Sequence, residues 1–352
     1  MRSSHRCRLC KSKKLQDNYT MAILVLNCGS SSVKYQLFRI RLEDVIAQGT
    51  VTAIGTDESA ISIKSGSHDK KTIKKPIQNH QSAITFILNQ LTDPSSNILK
   101  DTREINIIGH RVVHGGEKFS GSVLITEETK KGIRDCFELA PLHNPHNMEG
   151  ILACEKLIPE AKQVAVFDTA FHQTIPAYAY TYGIPKSLSL EHQIRRYGFH
   201  GTSHQYVSLR AAELLGKEFT QTNLISCHLG NGSSITAVNN GRSVDTSMGF
   251  TPLEGLVMGT RCGDIDPAIP LFLIHRIGMT PEKVDHLLND SSGLKGISGC
   301  TNNMELLLAK QDSMPEARLA IDVFCYRVKK YIASYMGVLN KVDAVVFTAG
   351  IG

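Results

Sequence analysis

Residues 22–40 read AILVLNCGSSSVKYQLFRI, and this stretch decides how the rest of the chain is read. Ala22–Asn27 is a short apolar run with β-branched residues, the pattern of a strand. Cys28–Ser32 is a turn of small residues, and Val33–Ile40 alternates apolar and polar as a half-buried returning strand does. The expected hairpin carries hydroxyls and free backbone N–H groups at its tip, with Lys34 just behind. Glycine and serine turns present N–H donors without side-chain obstruction, and such nests hold anionic oxygens.

The pattern recurs about two hundred residues later. Leu224–His228 is an expected strand, Leu229-Gly230-Asn231-Gly232-Ser233-Ser234 a small-residue turn, and Ile235–Asn239 the returning strand. Asn240-Gly241 closes it with the favoured hairpin dipeptide. Two such hairpins suggest two homologous halves, although turns of this composition also arise by chance. A third strand-to-glycine junction, Ala344–Phe347 followed by Thr348-Ala349-Gly350-Ile351-Gly352, stands at the end of the sequence.

Between these landmarks the sequence predicts strands within Val45–Ile63, at Ile105–Val113 and at Gln163–Phe167. Helices are expected at Gln81–Thr92, Thr126–Ala140, Asn147–Ile158 and Ser203–Leu215, and a Pro- and Tyr-rich loop at Thr174–Pro185. The 352 residues, 41% hydrophobic and 20% charged, suit a soluble protein of two domains, and no apolar run is long enough to span a membrane. The net charge of +6 is local: residues 1–20 carry +5, leaving about +1 elsewhere. The body thus has no electrostatic reason to bind nucleic acid. The first twenty residues read as a disordered basic tail with no apolar core of a signal peptide, and an initiation at Met21 is an alternative. Cys7 and Cys10 lack the second ligand pair a structural zinc needs, and nine scattered cysteines fit reduced thiols in a cytoplasm.

No Walker sequence, kinase glycine loop or nucleophile elbow is present. Polar clusters fall instead beside glycines: Arg111 in GHRVVHGGEKF and Asp168 in FDTAFH at strand ends, His200 in YGFHGTSH in a turn leading into a helix, and Arg261 among the glycines and acids of GTRCGDIDP. His200 and His204 are spaced like zinc ligands, but the intervening glutamate is missing and Gly201 interrupts. His143 and His146, with Pro145, read as a structural loop. His110, His114 and His172 read as scaffold. Asp264 and Asp266 read as fixing Arg261 in preference to binding metal.

The ordered set LNCGSSSVKY, GHRVVHGGEKF, LAPLHNPHN, FDTAFHQTIP, RRYGFHGTSH, SCHLGNGSSITAV, DTSMGFTPLEGLVMGTRCGDIDP and FTAGIG resembles the acetate/propionate kinase family of the actin-like ATPase superfamily, over residues 21–352. The resemblance implies an α/β chain of two duplicated actin-like, ribonuclease H-like domains, mixed sheets flanked by helices, with a nucleotide cleft between them. The domains would be 21–170 and 171–352. It implies transfer of the ATP γ-phosphoryl group to acetate, giving acetyl phosphate and ADP with Mg²⁺, in a cytoplasmic homodimer. By motif match, Asn27 would serve the metal and Lys34 the ATP phosphates. Arg111 would bind the carboxylate substrate, with Asp168, His200 and Arg261 catalytic. His228, Leu229, Gly230, Asn231 and Gly232 would form the second phosphate loop, and Gly350, Ile351 and Gly352 the turn near adenosine. Because acetate is already a nucleophile at neutral pH, Asp168 is expected to orient a partner, not to act as a base.

Asn303, Met304 and Glu305 fall where the family carries an Asp-x-Arg that contacts the nucleotide, and this departure is expected to weaken ATP binding. The family also continues beyond the position of Gly352, so a truncated, poorly stable and weakly active chain is expected. The alternatives are a propionate kinase and a non-catalytic actin-like nucleotide-binding protein.

Overall fold

The computed structural model describes residues 21–39, 44–66 and 71–352; the basic segment with Cys7 and Cys10 lies outside them. The chain divides into two compact units. One holds the described residues up to His110 with Glu149–Gln163, and the other holds Arg111–Met148 with Val164–Gly352.

In the first unit, β1 (Ala22–Gly29), β2 (Ser32–Arg39), β3 (Asp44–Thr52), β4 (Ala60–Ser65) and β5 (Lys71–Lys74) form an antiparallel meander. Helix α1 (His80–Leu91) follows, and β6 (Ile105–Val112) returns parallel to β1. Gly29 pairs with Ser32, so the first hairpin turns on Ser30-Ser31 alone; Cys28 and Gly29, expected in the turn, extend the ladder. Leu24, Leu26 and Cys28 of β1 and Val33, Tyr35 and Leu37 of β2 point into a core with Ala83, Ile84 and Ile87 of α1. Full burial of one such aliphatic side chain is worth about 1.5–3 kcal/mol. Gly49 has a steric reason to be glycine: a Cβ there would lie 2.1 Å from the Ser62 carbonyl and 2.7 Å from the Tyr35 ring.

The second unit contains β7 (Val123–Leu124), α2 (Glu127–Asp135), and the first turns of α3 (Asn144–Leu157), which runs on into the first unit. After β8 (Lys162–Phe167) come the short α4 (Ala177–Tyr180) and α5 (Lys186–Glu191), then α6 (Gly201–Leu214). Strands β9 (Leu224–Leu229), β10 (Ser233–Asn239) and β11 (Arg242–Thr246) are antiparallel neighbours. Helices α7 (Ala268–His275), α8 (Pro281–Asp290), α9 (Gly293–Ser298), α10 (Met304–Lys310) and the 25-residue α11 (Pro315–Leu339) lead to β12 (Ala344–Thr348), parallel to β9.

The order β11-β10-β9-β12 repeats the order β3-β2-β1-β6 found around the first hairpin, antiparallel steps and final parallel strand included. Duplication, suggested by the turns alone, is therefore carried by topology. The fold is α/β with mixed sheets flanked by helices. Asn240 and Gly241, at φ 49° and 74°, form the two-residue loop expected of them between Asn239 and Arg242. The β9–β10 pair is buried on both faces. Ile225, Cys227, Leu229, Ile235 and Ala237 pack on Ala317, Ala320, Ile321 and Phe324 of α11, while Leu224 and Val238 meet Ala211 of α6.

Several expected boundaries move. Helix α2 stops at Asp135, five residues short of Ala140, because Cys136 and Phe137 tighten into i→i−3 bonds to Ile133 and Arg134. Helix α3 starts three residues before Asn147, with Pro145 in its first turn, where its missing N–H costs nothing; His146 is therefore helical, not part of a loop. Gly201 opens α6 instead of interrupting a helix. The Thr174–Pro185 loop contains the single turn α4.

Candidate active site

Arg111 is the penultimate residue of β6 and Asp168 follows β8 directly. The Asp168 N–H donates to the Val112 carbonyl at 3.0 Å, which brings the two strand ends together. Arg111 Nε donates to Asp168 Oδ1 (2.9 Å) and Oδ2 (3.1 Å), and Nη2 donates to Oδ2 (2.5 Å). Asp168 is buried, and its charge holds the Arg111 guanidinium above its ordinary pKa. Asn144 and Asn147 of α3 accept from the backbone N–H groups of His114 and Val113 at 3.0 Å each, and Thr169 accepts from that of Gly115 at 3.0 Å. The strand end that aims Arg111 is thus fixed by side chains.

His200 is the N-cap residue of α6 and holds a left-handed φ of 58°. The Gly201 N–H donates to the Asp168 carbonyl at 2.8 Å, and a Cβ on Gly201 would lie 2.3 Å from that oxygen, so only glycine permits this junction. The His200 ring stacks on His228, with centroids 4.2 Å apart. His172, buried behind, hydrogen-bonds Ser243 Oγ (2.8 Å) and the Phe199 carbonyl (2.9 Å), and burial pushes its pKa down to about 4. Burial and then the neighbouring His228 and guanidinium groups hold His200 well below the ordinary imidazole value. These are neutral imidazoles.

The loop Gly230-Asn231-Gly232 joins β9 to β10. Ser233 Oγ braces it from within, accepting from the Gly230 N–H and donating to the Gly230 carbonyl. The Gly259 N–H donates to the Asn231 carbonyl at 2.9 Å, and a Cβ on Gly259 would strike Asn231 Oδ1 at 2.0 Å. That close approach seats the loop carrying Arg261. At Gly232, Arg261 Nη1 and His200 Nε2 converge: each lies 3.4 Å from the position a Cβ would take. Asp264 steadies the Arg261 loop indirectly, accepting from the Gly255 N–H and the Tyr331 hydroxyl, and Asp266 accepts from the N–H of Ala268 at the start of α7. His143 belongs to the same neighbourhood; burial lowers its pKa first, and Arg261 and Arg111 lower it further.

A cavity of about 830 Å³ in the second unit is lined by Leu229, Met304, Glu305, Gly350, Ile351 and Gly352 together with apolar side chains of α11. The Ile351 N–H donates to the Leu229 carbonyl at 2.8 Å, tying the final turn to the end of β9. Asn303 does not line the cavity: its side chain caps α10, accepting from the Leu306 N–H, and it is Asn302 that reaches Asn231, at 2.9 Å. In the first unit, Asn27 and Lys34 are cross-strand partners and line a polar groove of about 450 Å³ with Gln36, Gln48 and Lys64.

The second unit therefore gathers Arg111, Asp168, His143, His200, His228 and Arg261 in one electrostatic neighbourhood. Arg111 is paired with Asp168 there, Arg261 Nη1 donates to the Pro252 carbonyl at 3.3 Å, and neutral imidazoles add donors without adding charge. Fold and site together define an α/β protein of duplicated design whose second unit gathers guanidinium and imidazole donors beside the Gly230–Gly232 loop.

Comparison with known proteins agrees. Residues 22–352 match the model of the acetokinase family. The acetate kinase of Dictyoglomus turgidum is 52% identical over 333 residues, 94% of this chain and 82% of that protein. The acetate kinase of Methanosarcina thermophila is 54% identical over 335 residues, with the same coverage. Among solved structures, acetate kinase from Porphyromonas gingivalis superposes with a TM-score of 0.90 at 45% identity, covering 94% of this chain and 83% of that one. A propionate kinase from Francisella tularensis gives 0.88 at 46% identity, covering 94% and 84%. The chain belongs to the acetokinase family. Among the described residues, no helix is long and apolar enough to cross a membrane.

Proposed function

We propose that the protein is an acetate kinase, reversibly moving the γ-phosphoryl group of ATP onto acetate to give acetyl phosphate and ADP. The observation that carries this reading is the convergence of Arg261 Nη1 and His200 Nε2 at Gly232, beside an Arg111 already aimed by Asp168.

In a loose phosphoryl-transfer transition state, charge spreads over three equatorial oxygens, and catalysis is positioning plus electrostatic stabilisation. Arg261 donates a planar fork to those oxygens, and His200 Nε2 adds a neutral donor. The Arg111 groups left free by Asp168 neutralise the acetate carboxylate, which otherwise repels the γ-phosphate. Asp168 acts as the aiming group of Arg111, not as a base, since both of its oxygens already accept from the guanidinium. Gly230, Asn231 and Gly232 hold the phosphate chain, with His228 bracing His200. Leu229, Met304, Glu305 and Gly350–Gly352 line the adenosine site.

ATP enters as its Mg²⁺ complex. The donor set fits a substrate-borne ion: Asn27 offers one neutral oxygen opposite the cationic Lys34, a poor resident cage but a suitable place for phosphates that bring their own metal. The ion supplies charge neutralisation on the phosphate oxygens. We also infer a cytoplasmic homodimer of duplicated halves spanning 21–170 and 171–352. Exposed Ile269, Leu271 and Phe272 on α7 support an association surface. Propionate is the second acceptor to consider, because the buried cluster of Val113, Phe199, Met248 and Met258 is apolar enough for a longer chain. A hydroxamate assay with acetate and propionate side by side tests both acceptors.

A further inference from the structure

We propose that Ser226, His204 and Ser234 form a directed hydrogen-bond relay that fixes His200 in the tautomer carrying its proton on Nε2, which makes Ser234 and His204 positioning residues for the transferred phosphoryl group. The inference deepens the function proposed above and rests on it.

The relay is continuous. Ser226 Oγ meets His204 Nδ1 at 2.9 Å, His204 Nε2 meets Ser234 Oγ at 2.7 Å, and Ser234 Oγ meets His200 Nδ1 at 2.8 Å. Local structure explains the assembly. In the β9–β10 register Ser226 faces Thr236 and His228 faces Ser234, so both serines share the sheet face that lies under α6. His200 and His204 stand one helical turn apart on that helix.

Direction follows from proton counting. Ser226 and His204 are fully buried, and His204 Nδ1 is the single side-chain partner of Ser226 Oγ among the described residues. If Ser226 accepted there, its own hydroxyl proton would be buried without an acceptor, which costs more than an unused lone pair. Ser226 therefore donates, and His204 Nδ1 accepts. His204 is neutral, being buried among other imidazoles, so its one proton sits on Nε2 and goes to Ser234. Ser234 must then spend its hydroxyl proton on His200 Nδ1. The proton of His200 is left on Nε2, the atom that lies with Arg261 Nη1 against Gly232. An Nε2 lone pair in that place would repel a phosphoryl oxygen, whereas an N–H donates to it. His228 holds the ring plane by stacking and is itself anchored through Nδ1 to Ser203 Oγ at 2.8 Å. No proton leaves the relay during turnover; it sets polarity only.

The test reads the tautomer directly. The full chain, labelled with ¹⁵N-histidine and free of ligand, is examined by long-range ¹⁵N–¹H correlation, with the His200 signal assigned from its loss in His200→Gln. The wild type is expected to show His200 protonated at Nε2. Ser234→Ala, which takes away the hydroxyl that donates to His200 Nδ1, is expected to turn the single Nε2-protonated form into a mixture of tautomers, and Ser234→Thr, which keeps the hydroxyl, to restore the single form. Turnover is expected to fall about 10- to 100-fold in Ser234→Ala with KM for ATP within about twofold, as for other groups that orient a reacting residue. A wild type protonated at Nδ1, or a folded Ser234→Ala that keeps the single Nε2 form, overturns the relay. If Ser234→Ala does not fold, the wild-type spectrum decides: Nε2 protonation of both His200 and His204 upholds the relay, and Nδ1 protonation of either overturns it. Because the tautomer is read without substrate, a protein that shows the Nε2 proton yet makes no acyl phosphate keeps the relay and overturns the proposed function.

Discussion

Asp168 grips Arg111 with three hydrogen bonds, two from Nε and one from Nη2, so a single carboxylate fixes the plane of the guanidinium. Asp168→Asn keeps the shape but replaces one accepting oxygen with an amide that faces a donor. Its kcat/KM for acetate is expected to fall about 100-fold through misaligned Arg111. Steady-state kinetics with acetate varied checks this, and wild-type values would remove Asp168 from any positioning role.

Gly232→Ala is expected to disable the site without unfolding the protein. The new methyl group would sit 3.4 Å from both His200 Nε2 and Arg261 Nη1, where the phosphoryl oxygens are proposed to lie. The expected result is a loss of kcat of about tenfold or more with Tm changed by less than about 2 °C, since no core contact is touched. Kinetics and a thermal melt on the same sample measure both.

Stability should depend on pH through buried histidines. Burial lowers His110, His114 and His172 from 6.5 to about 4. In the unfolded chain these imidazoles charge below pH 6.5, while in the native state they stay neutral to about pH 4. Between those values the unfolded state binds more protons, so stability is complete above about pH 6.5 and is lost as pH falls toward 4, by up to about 3 kcal/mol per group. A drop in Tm of about 10 °C between pH 7 and pH 5 is expected. A flat profile over that interval would contradict neutral burial.

Enlarging the apolar cluster should favour the longer acid. Val113→Ala is expected to raise kcat/KM for propionate relative to acetate about tenfold, the scale of one methylene in a hydrophobic pocket. An unchanged ratio, measured by competition, would place the acyl group elsewhere.

Local signals made much of this molecule legible in its sequence. The Ser-rich turn after β1 and Asn240-Gly241 each specify a hairpin through nearest neighbours alone, and both hairpins form. Arg111 and Asp168 stand out as charges at strand ends, and Arg261 as a charge in a glycine-rich loop, places where charges have few structural uses. The relay behind His200 was not legible, since Ser226 and Ser234 look like ordinary strand residues until the register puts them under α6. The loop expected at His146 is helical because Pro145, which reads as a helix breaker, sits in the first turn of α3, while His143 stays in the turn before it. The family resemblance points to Asn303, yet capping of α10 consumes that side chain and its neighbour Asn302 reaches the glycine loop.

The central claim is that guanidinium and imidazole donors in one unit steady a phosphoryl group passing between ATP and a small carboxylate. Trapping of acyl phosphate as hydroxamate, with purified full chain, MgATP and acetate, tests it most directly. The account predicts ATP-dependent hydroxamate, more from acetate than from propionate, reduced about 100-fold or more in Arg261→Ala. ATP binding without any hydroxamate, or equal product from Arg261→Ala, would contradict it.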